Sequence, residues 1–193
     1  KKGYEIRDIS LPSFAHGLSV YYILMPAEVS SNLARFDGVR YGYHAEGKDL
    51  LGDYIRSRGE GFGVEVRRRI FLGTYVLSSG YYDAFYGRAN MVREMLKKDL
   101  ENIFKDVDII ATPTAPTPAF KIGEKTSDPL QMYLADIFTV PVNIAGVPAI
   151  SIPSGYTKEG DTELPLGIQF IAPHFYEEAL FEIGKDFEII RKK

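Results

Sequence analysis

An arginine triplet at positions 67–69 lies in a segment whose apolar residues recur at helical spacing. On a helical wheel, Arg69 lies beside the apolar face, whereas Arg67 and Arg68 point away from it. That face consists of Val66, Ile70, Gly73, Val76 and Leu77. A guanidinium removed from water needs a carboxylate or several other acceptors. Arg69 is therefore expected to be at least partly buried, either in an internal ion pair or as a clamp for a substrate carboxylate.

Asp136 is the one charged residue in the apolar stretch "MYLADIFTVPVNIAGVPAISIPSG", residues 132–155. The residues before it predict a helix with Asp128 as its N-cap and Pro129 at its first position. Asp136 falls off the centre of the apolar stripe, in the last turn before Pro141. A carboxylate there opposes the helix dipole, at a cost of about 0.3–1 kcal/mol. Either a bound cation, such as an α-ammonium group, or an exposed loop position would account for it.

An aspartate for an ammonium group and an arginine for a carboxylate would together grip a free α-amino acid. Other chemistry has less support in the sequence. The three histidines are far apart, without HExxH spacing, so no metal site is predicted. The glycines of "RGEGFG" (58–63) follow a helical pattern rather than a strand, which indicates a helix-to-helix turn more than a phosphate cradle. No GxSxG elbow is present, and "LSSG" (77–80) is expected to end a helix with Gly80 as its cap.

The composition is that of a folded chain without a strong charge bias. Of the 193 residues, 45% are hydrophobic and 25% charged, with a formal net charge of −3, which excludes disorder and a global positive field for nucleic acid. The absence of cysteine excludes disulfides and a cysteine nucleophile. Prolines interrupt the longest apolar stretch, so no membrane span is predicted, and no signal peptide is recognisable. Because Lys1 replaces an initiator methionine, it is interpreted as a cut within a longer chain, although removal of the methionine would give the same start.

Alternating strands and helices are predicted to position these residues. Strands are expected at 19–25, 107–111, 149–155 and 164–173. A polar turn separates the last two strands, and helices are expected at 81–107 and 179–191. This order predicts an α/β fold, and the length favours one domain.

Four stretches of the chain resemble the amidase signature family. They are "SSNLARFDGVRYG", "EGFGVEVRRRIFLGTYVLSSGYYDAFY", "YLADIFTVPVNIAGVPAISIPSG" and "LPLGIQFIAP". The likeness covers essentially the whole chain, and the first two stretches are distinctive of the A subunits of glutamyl/aspartyl-tRNA amidotransferases. The resemblance implies a central mixed β-sheet flanked by α-helices, with residues 1–193 forming the C-terminal portion of a single amidase signature domain.

The resemblance also implies a function. A subunits of this branch hydrolyse glutamine to glutamate and ammonia, and the ammonia travels to a partner subunit that amidates ATP-activated glutamyl-tRNA or aspartyl-tRNA. The implied partners are subunits B and C of a cytoplasmic heterotrimer, with aminoacyl-tRNA reached through the complex and no membrane. No cofactor is expected in this chain, because ATP and Mg belong to the partner subunit.

The site residues implied by the resemblance are only partly present. The family's catalytic set is a serine, a second serine after a cis peptide and an upstream lysine, carried around a GGSSGGS-type signature that this chain lacks. No catalytic residue is therefore assigned, and the segment alone is expected to be inactive. The family's glutamine-binding arginine matches Arg69 and its aspartate matches Asp136. A tyrosine of the predicted first strand also contributes to that pocket, and Tyr21 is preferred over Tyr22.

Two other functions stay open at this stage. A generic amidase would hydrolyse small amides without a partner subunit, and a binding module would use the fold without catalysis. If upstream strands complete the sheet, the isolated segment would expose apolar faces and strand edges, so it is expected to be unstable alone.

Overall fold

The computed structural model describes residues 3–125 and 129–191, with the side chain of Pro129 excepted. The helices are α1 (Gly17–Asn32), α2 (Leu50–Gly61), α3 (Val64–Val76), α4 (Arg88–Ile103), α5 (Pro129–Leu134), α6 (Val140–Ala145) and α7 (Glu177–Arg191). The strands are β1 (Ile110–Pro113), β2 (Ala149–Glu159) and β3 (Thr162–Ile171). Short 3-10 helices at Pro12–His16 and Leu33–Arg35 and a π-helical turn at Tyr82–Gly87 complete the regular structure that the described residues contain.

Contacts divide the chain into two compact units. The helical unit is Val20–Met91, and the sheet unit combines Lys1–Ser19 with Val92–Lys193. The fold class is α/β as predicted, with about half of the residues helical and a small antiparallel sheet.

The predicted first strand, residues 19–25, is wrong, because this segment lies in helix α1. Val20, Leu24 and Ala27 are all buried, and their spacing of four and three residues is that of one helical face. A short run of β-branched and aromatic residues does not distinguish a strand from a buried helix. Pro26 lies inside α1 and is fully buried, so packing stabilises a helix that has lost one backbone donor.

Helices α1 and α3 approach each other at Gly73, which is buried. A Cβ atom at Gly73 would lie 1.8 Å from the carbonyl oxygen of Pro26 and 2.9 Å from the backbone nitrogen of Ala27. Real carbon atoms do not approach oxygen so closely, since even a weak C–H···O contact keeps the two atoms about 3.3 Å apart. Glycine is thus required for the close packing of these two backbones.

The link between α2 and α3 is the helix-to-helix turn predicted from "RGEGFG". Helix α2 starts at an N-cap, Asp49, whose side chain accepts a hydrogen bond from the backbone nitrogen of Gly52 at 2.7 Å. The helix ends at Gly61, and Phe62 and Gly63 connect it to α3. The predicted cap at Gly80 is wrong, because α3 already ends at Val76 and Gly80, with φ +88°, belongs to the turn that follows.

The sheet unit contains a three-stranded antiparallel sheet in the order β1-β3-β2. Strands β2 and β3 confirm the predictions for 149–155 and 164–173, but both continue through the segment interpreted as a polar turn. The hairpin turns only at Gly160 and Asp161, and Lys158 pairs with Glu163 across it at 3.9 Å. The end of the hairpin, residues 156–163, is mostly exposed, so its polar side chains stay in contact with solvent.

Strand β1 starts at Ile110 rather than at residue 107, because the turns that end α4 extend to Val107, whose nitrogen bonds to the carbonyl of Ile103 at 3.1 Å. The predicted helix 81–107 is divided: residues 82–87 form the π-helical turn and α4 begins at Arg88.

The two faces of the sheet differ in their partners. Ile152 and Phe170 lie on one face, in a cluster with Leu180, Ile183 and Phe187 of α7. Ile110 and Ile171 start the opposite face and pack with Leu100, Val142 and Ala145. Further along this second face the side chains become polar, with Thr112 of β1 and Ser151 of β2 opposite Gln169 of β3.

Candidate functional site

Arg69 lies on α3, about one helical turn before the crossing at Gly73. Its side chain is 34% exposed, in agreement with the helical wheel, and its Nε lies 3.3 Å from Oε1 of Glu65. Nε is buried and makes no aligned hydrogen bond within the part of the chain that the structure describes. Glu65 also pairs through Oε2 with Arg68 at 3.1 Å. The ion pair expected as one explanation for Arg69 exists, but it leaves the guanidinium without a hydrogen-bonded acceptor among the described residues.

Tyr21 lies on α1, about one and a half turns before Pro26. Its ring meets that of Tyr22 edge to face, with centroids 5.3 Å apart. Both tyrosines are half-buried and lie on a helix rather than on the predicted first strand. Tyr21 and Arg69 belong to the same unit, on the two helices that cross at Gly73.

Asp136 lies in the turn that connects α5 to α6 in the sheet unit. It was expected in the last turn of a helix, but α5 ends at Leu134 and Asp136 lies in an exposed turn two residues later. The proposed N-cap Asp128 lies outside the described residues. The carbonyl of Asp136 accepts hydrogen bonds from the backbone nitrogens of Thr139 at 3.0 Å and Val140 at 2.9 Å. Its backbone is therefore fixed by the start of α6.

The carboxylate of Asp136 is exposed and has no hydrogen bond or ion pair among the residues that the structure describes. Next to it, Ala135 lines a groove of about 950 Å³ in the sheet unit. Most of the groove wall is apolar and comes from residues 111–120 and from β2 and β3. Its polar groups include the hydroxyls of Thr112, Thr114 and Ser151.

Gln169 is a buried polar residue that the sequence did not single out. The residue is only 4% exposed, in the middle of the apolar run of β3. Nε2 donates to Oγ1 of Thr112 at 3.0 Å and to the carbonyl oxygen of Phe138 at 3.1 Å. Its position in an apolar strand could have identified Gln169 from the sequence, since a buried polar group is nearly always hydrogen-bonded to a specific partner.

In the helical unit, a polar cluster of Tyr43, Arg56 and Glu60 shifts the pKa values of Tyr43 and Glu60. The hydroxyl of Tyr43 donates to Glu60 at 3.0 Å, and Nε of Arg56 donates to the same carboxylate at 3.2 Å. The Tyr43 hydrogen bond, followed by Arg56, lowers the pKa of Glu60, and the same bond raises the pKa of Tyr43. This cluster joins the loop before α2 to the helix itself.

Over residues 3–125 and 129–191, no group of three or more histidine or acidic side chains could hold a metal ion. Nor does this part of the chain include a helix that is long and apolar enough to span a membrane.

Comparison with known proteins assigns the family. The family model described as "Amidase" matches residues 1–181. The chain belongs to the amidase family. Its relatives include the A subunit of the glutamyl-tRNA(Gln) amidotransferase of Syntrophus aciditrophicus, which is 57% identical over 187 residues and 96% of this chain. The corresponding protein of Geobacillus thermodenitrificans is 54% identical over 97% of the chain. The amidase chain spans about 38% of the length of each of these relatives, a C-terminal part.

Solved structures support the same fold. The crystal structure of the glutamyl-tRNA(Gln) amidotransferase A subunit from Thermotoga maritima is 39% identical, with a TM-score of 0.61. It matches 90% of the amidase chain, which covers 32% of that protein. A bacterial aryl acylamidase of the amidase signature family is only 17% identical but has a TM-score of 0.60, which supports the fold alone. The predicted amidase signature fold and the predicted resemblance to A subunits are confirmed.

Proposed function

We propose that the intact protein containing this chain is the glutaminase subunit of a tRNA-dependent amidotransferase. It would hydrolyse glutamine to supply ammonia for converting glutamyl-tRNA(Gln), aspartyl-tRNA(Asn) or both into the amidated forms. The observation that carries the proposal is that Nε of Arg69, in the helical unit, and the carboxylate of Asp136, in the sheet unit, each lack a hydrogen bond among the described residues. The names of the relatives, at up to 57% identity, support the same reading.

The two charges suit the two ends of an α-amino acid. A partly buried guanidinium binds a carboxylate in a bidentate, charge-assisted manner, so Arg69 is assigned to the α-carboxylate of glutamine. The exposed carboxylate of Asp136 is assigned to the α-ammonium group. Tyr21, on the helix that crosses α3, is also assigned to glutamine binding. These contacts would orient glutamine and leave its side-chain amide to the reacting groups.

The covalent chemistry requires residues that this chain does not contain. The serine nucleophile, the second serine and the lysine of the family signature would form and break the acyl intermediate. The partners we propose are subunits B and C, in a cytoplasmic heterotrimer in which the partner subunit holds ATP and Mg and receives the ammonia. This chain would contribute glutamine binding and no metal or nucleotide site.

The test uses the intact protein in complex with its partner subunits. Arg69→Ala and Asp136→Asn are each expected to lower kcat/KM for glutamine-dependent amidation by about 100-fold, since each removes the partner of a substrate charge. Amidation from added ammonium salt should be unchanged. Tyr21→Phe should raise the KM for glutamine more than Tyr22→Phe does.

Two control variants match the charge changes. Arg67→Ala removes an exposed arginine of the same triplet, and Asp161→Asn removes an exposed carboxylate at the hairpin turn. Both should leave glutamine-dependent amidation within about twofold of the wild type, since neither group is assigned a contact with glutamine and an isolated exposed charge contributes little to stability. Equal loss of glutamine-dependent and ammonium-dependent amidation in the Arg69 and Asp136 variants would refute the assignment.

The same assays separate the other two functions. A generic amidase would hydrolyse simple amides in the absence of the partner subunits, and a binding module would bind glutamine without releasing ammonia from it. The motifs "RFDGVRYG" and "RRRIFLGT" favour the amidotransferase over the generic amidase.

A further inference from the structure

Gln169 connects the sheet to the turn that carries Asp136. Its amide nitrogen is the donor in both of its hydrogen bonds, to Thr112 on β1 and to the carbonyl of Phe138 in the turn. Phe138 is two residues from Asp136, and Pro141, three residues after Phe138, has no N–H to donate to this carbonyl. No backbone N–H among the described residues donates to this carbonyl, so its bond comes from a side chain of β3.

Strand pairing fixes the position of Gln169 within the sheet. Thr112 lies opposite Gln169 on β1, and Ser151 lies opposite it on β2. Side chains at directly opposed positions of antiparallel strands point to the same face. These three residues therefore form a polar row across the sheet, on the face that leads from the buried Ile171 to the groove.

The turn is fixed at its other end by α6. The carbonyl of Asp136 accepts from the backbone nitrogens of Thr139 and Val140 and from Oγ1 of Thr139 at 3.2 Å. These bonds hold Asp136 relative to α6, and the Gln169 bond holds Phe138 relative to the sheet. Because both ends of the turn are fixed, the turn backbone determines where the exposed carboxylate of Asp136 lies.

We infer that Gln169 is a positioning residue for Asp136, holding the turn so that the carboxylate can receive the ammonium group of glutamine. The inference rests on the proposed function, because it uses the role of Asp136 given above. Gln169 would touch neither glutamine nor the reacting groups. Its effect would be on glutamine binding rather than on the amidation step.

The test compares variants in the intact protein with its partner subunits. Gln169→Met keeps a side chain of similar length and removes the donor. It is expected to raise the KM for glutamine about five- to tenfold, as for loss of one buried hydrogen bond, with kcat and ammonium-dependent amidation unchanged. Thr112→Val is the matched control, because it removes the other partner of Gln169 and leaves the bond to Phe138. It should change the KM by less than about twofold.

Gln169→Glu keeps the test decisive if the methionine variant does not fold. Its carboxylate can still accept from the Thr112 hydroxyl, but when ionised it cannot donate to the Phe138 carbonyl. Burial raises the pKa of a carboxyl at this position, so the KM for glutamine should stay near the wild-type value while the new carboxyl is protonated. The KM should rise as the pH increases through the pKa of that carboxyl, which carbon-13 titration of the variant would locate. A KM equal to that of the wild type at a pH where the new carboxyl is ionised would overturn the inference.

A double variant separates this inference from the proposed function. If Gln169 acts through Asp136, then Gln169→Met combined with Asp136→Asn should have the same KM as Asp136→Asn alone. Additive effects, or equal losses in Gln169→Met and Thr112→Val, would show a general structural role and overturn the inference. If Asp136→Asn itself leaves the KM for glutamine unchanged, the proposed function fails instead.

Discussion

Replacement of Gly73 by alanine should separate α1 from α3. The added Cβ would lie 1.8 Å from the carbonyl oxygen of Pro26 and 2.4 Å from its carbon. An acceptable contact of about 3.3 Å requires a shift of roughly 1.5 Å, and both atoms belong to backbones that cannot rotate away. Overpacking of this kind costs typically about 1–3 kcal/mol. Since the clash involves backbone, we take the upper end.

Alanine also has a higher helix propensity than glycine, which returns about 1 kcal/mol. The expected net loss is therefore about 2 kcal/mol for local opening of the crossing, equivalent to about a 30-fold change in the opening equilibrium. Arg69 lies one turn from Gly73 on the same helix, so a displaced α3 should also raise the KM for glutamine in the intact complex.

The assay is amide hydrogen exchange of the intact protein, followed by mass spectrometry of peptides from α1, α2 and α3. Gly59→Ala in α2 is the matched control, because a Cβ there would meet no atom within 4 Å. It should slow exchange in α2 up to about fivefold through helix propensity alone. Unchanged exchange of α1 and α3 in Gly73→Ala would refute the close crossing. Faster exchange with an unchanged KM would instead refute the link between the crossing and Arg69.

Two further predictions concern the start and the surface of α2. Asp49→Ala removes the acceptor for the backbone nitrogen of Gly52 and should cost about 1 kcal/mol, seen as roughly fivefold faster exchange in the first turn of α2. Tyr43→Phe removes the main cause of the lowered pKa of Glu60, so carbon-13 titration should show the pKa of this carboxyl shifted upward. Because the folded-state pKa is lowered, the stability that Glu60 contributes is present above the ordinary glutamate range and is lost as the pH falls through the folded pKa. The variant should therefore lose less stability than the wild type over that acidic window, and equal acid sensitivity would contradict the prediction.

The sequence predicted helices well where one face alone is buried. The stripe beside Arg69 gave its partial burial correctly, because a helical wheel depends only on the spacing of neighbouring residues. The prediction for residues 19–25 failed. Tyrosines and β-branched residues favour a strand there, but the buried contacts of Val20, Leu24 and Ala27 stabilise a helix.

The candidate site was predictable only in part, because some of its residues are held by contacts with residues far away in the sequence. Asp136 was noticed as an isolated charge, but its turn depends on where α5 ends, which the apolar stripe did not show. Gln169 was missed because its partners, Thr112 and Phe138, are 57 and 31 residues away in the chain. These contacts arise from the pairing of β1 with β3 and from the packing of the turn against the sheet, which the spacing of neighbouring residues does not show.

The hydroxyl pair of Thr114 and Ser151 has a consequence for the order in which the sheet assembles. The two oxygens are 2.8 Å apart and meet over Gly167 of the middle strand, where a Cβ would lie 2.7 Å from Oγ1 of Thr114. Strands β2 and β3 can pair early because a two-residue turn joins them, whereas closing the long loop to β1 costs more entropy and is slower. The Thr114–Ser151 bond can form only after β1 has docked on the hairpin. During refolding, its appearance would therefore mark the last pairing step among these three strands.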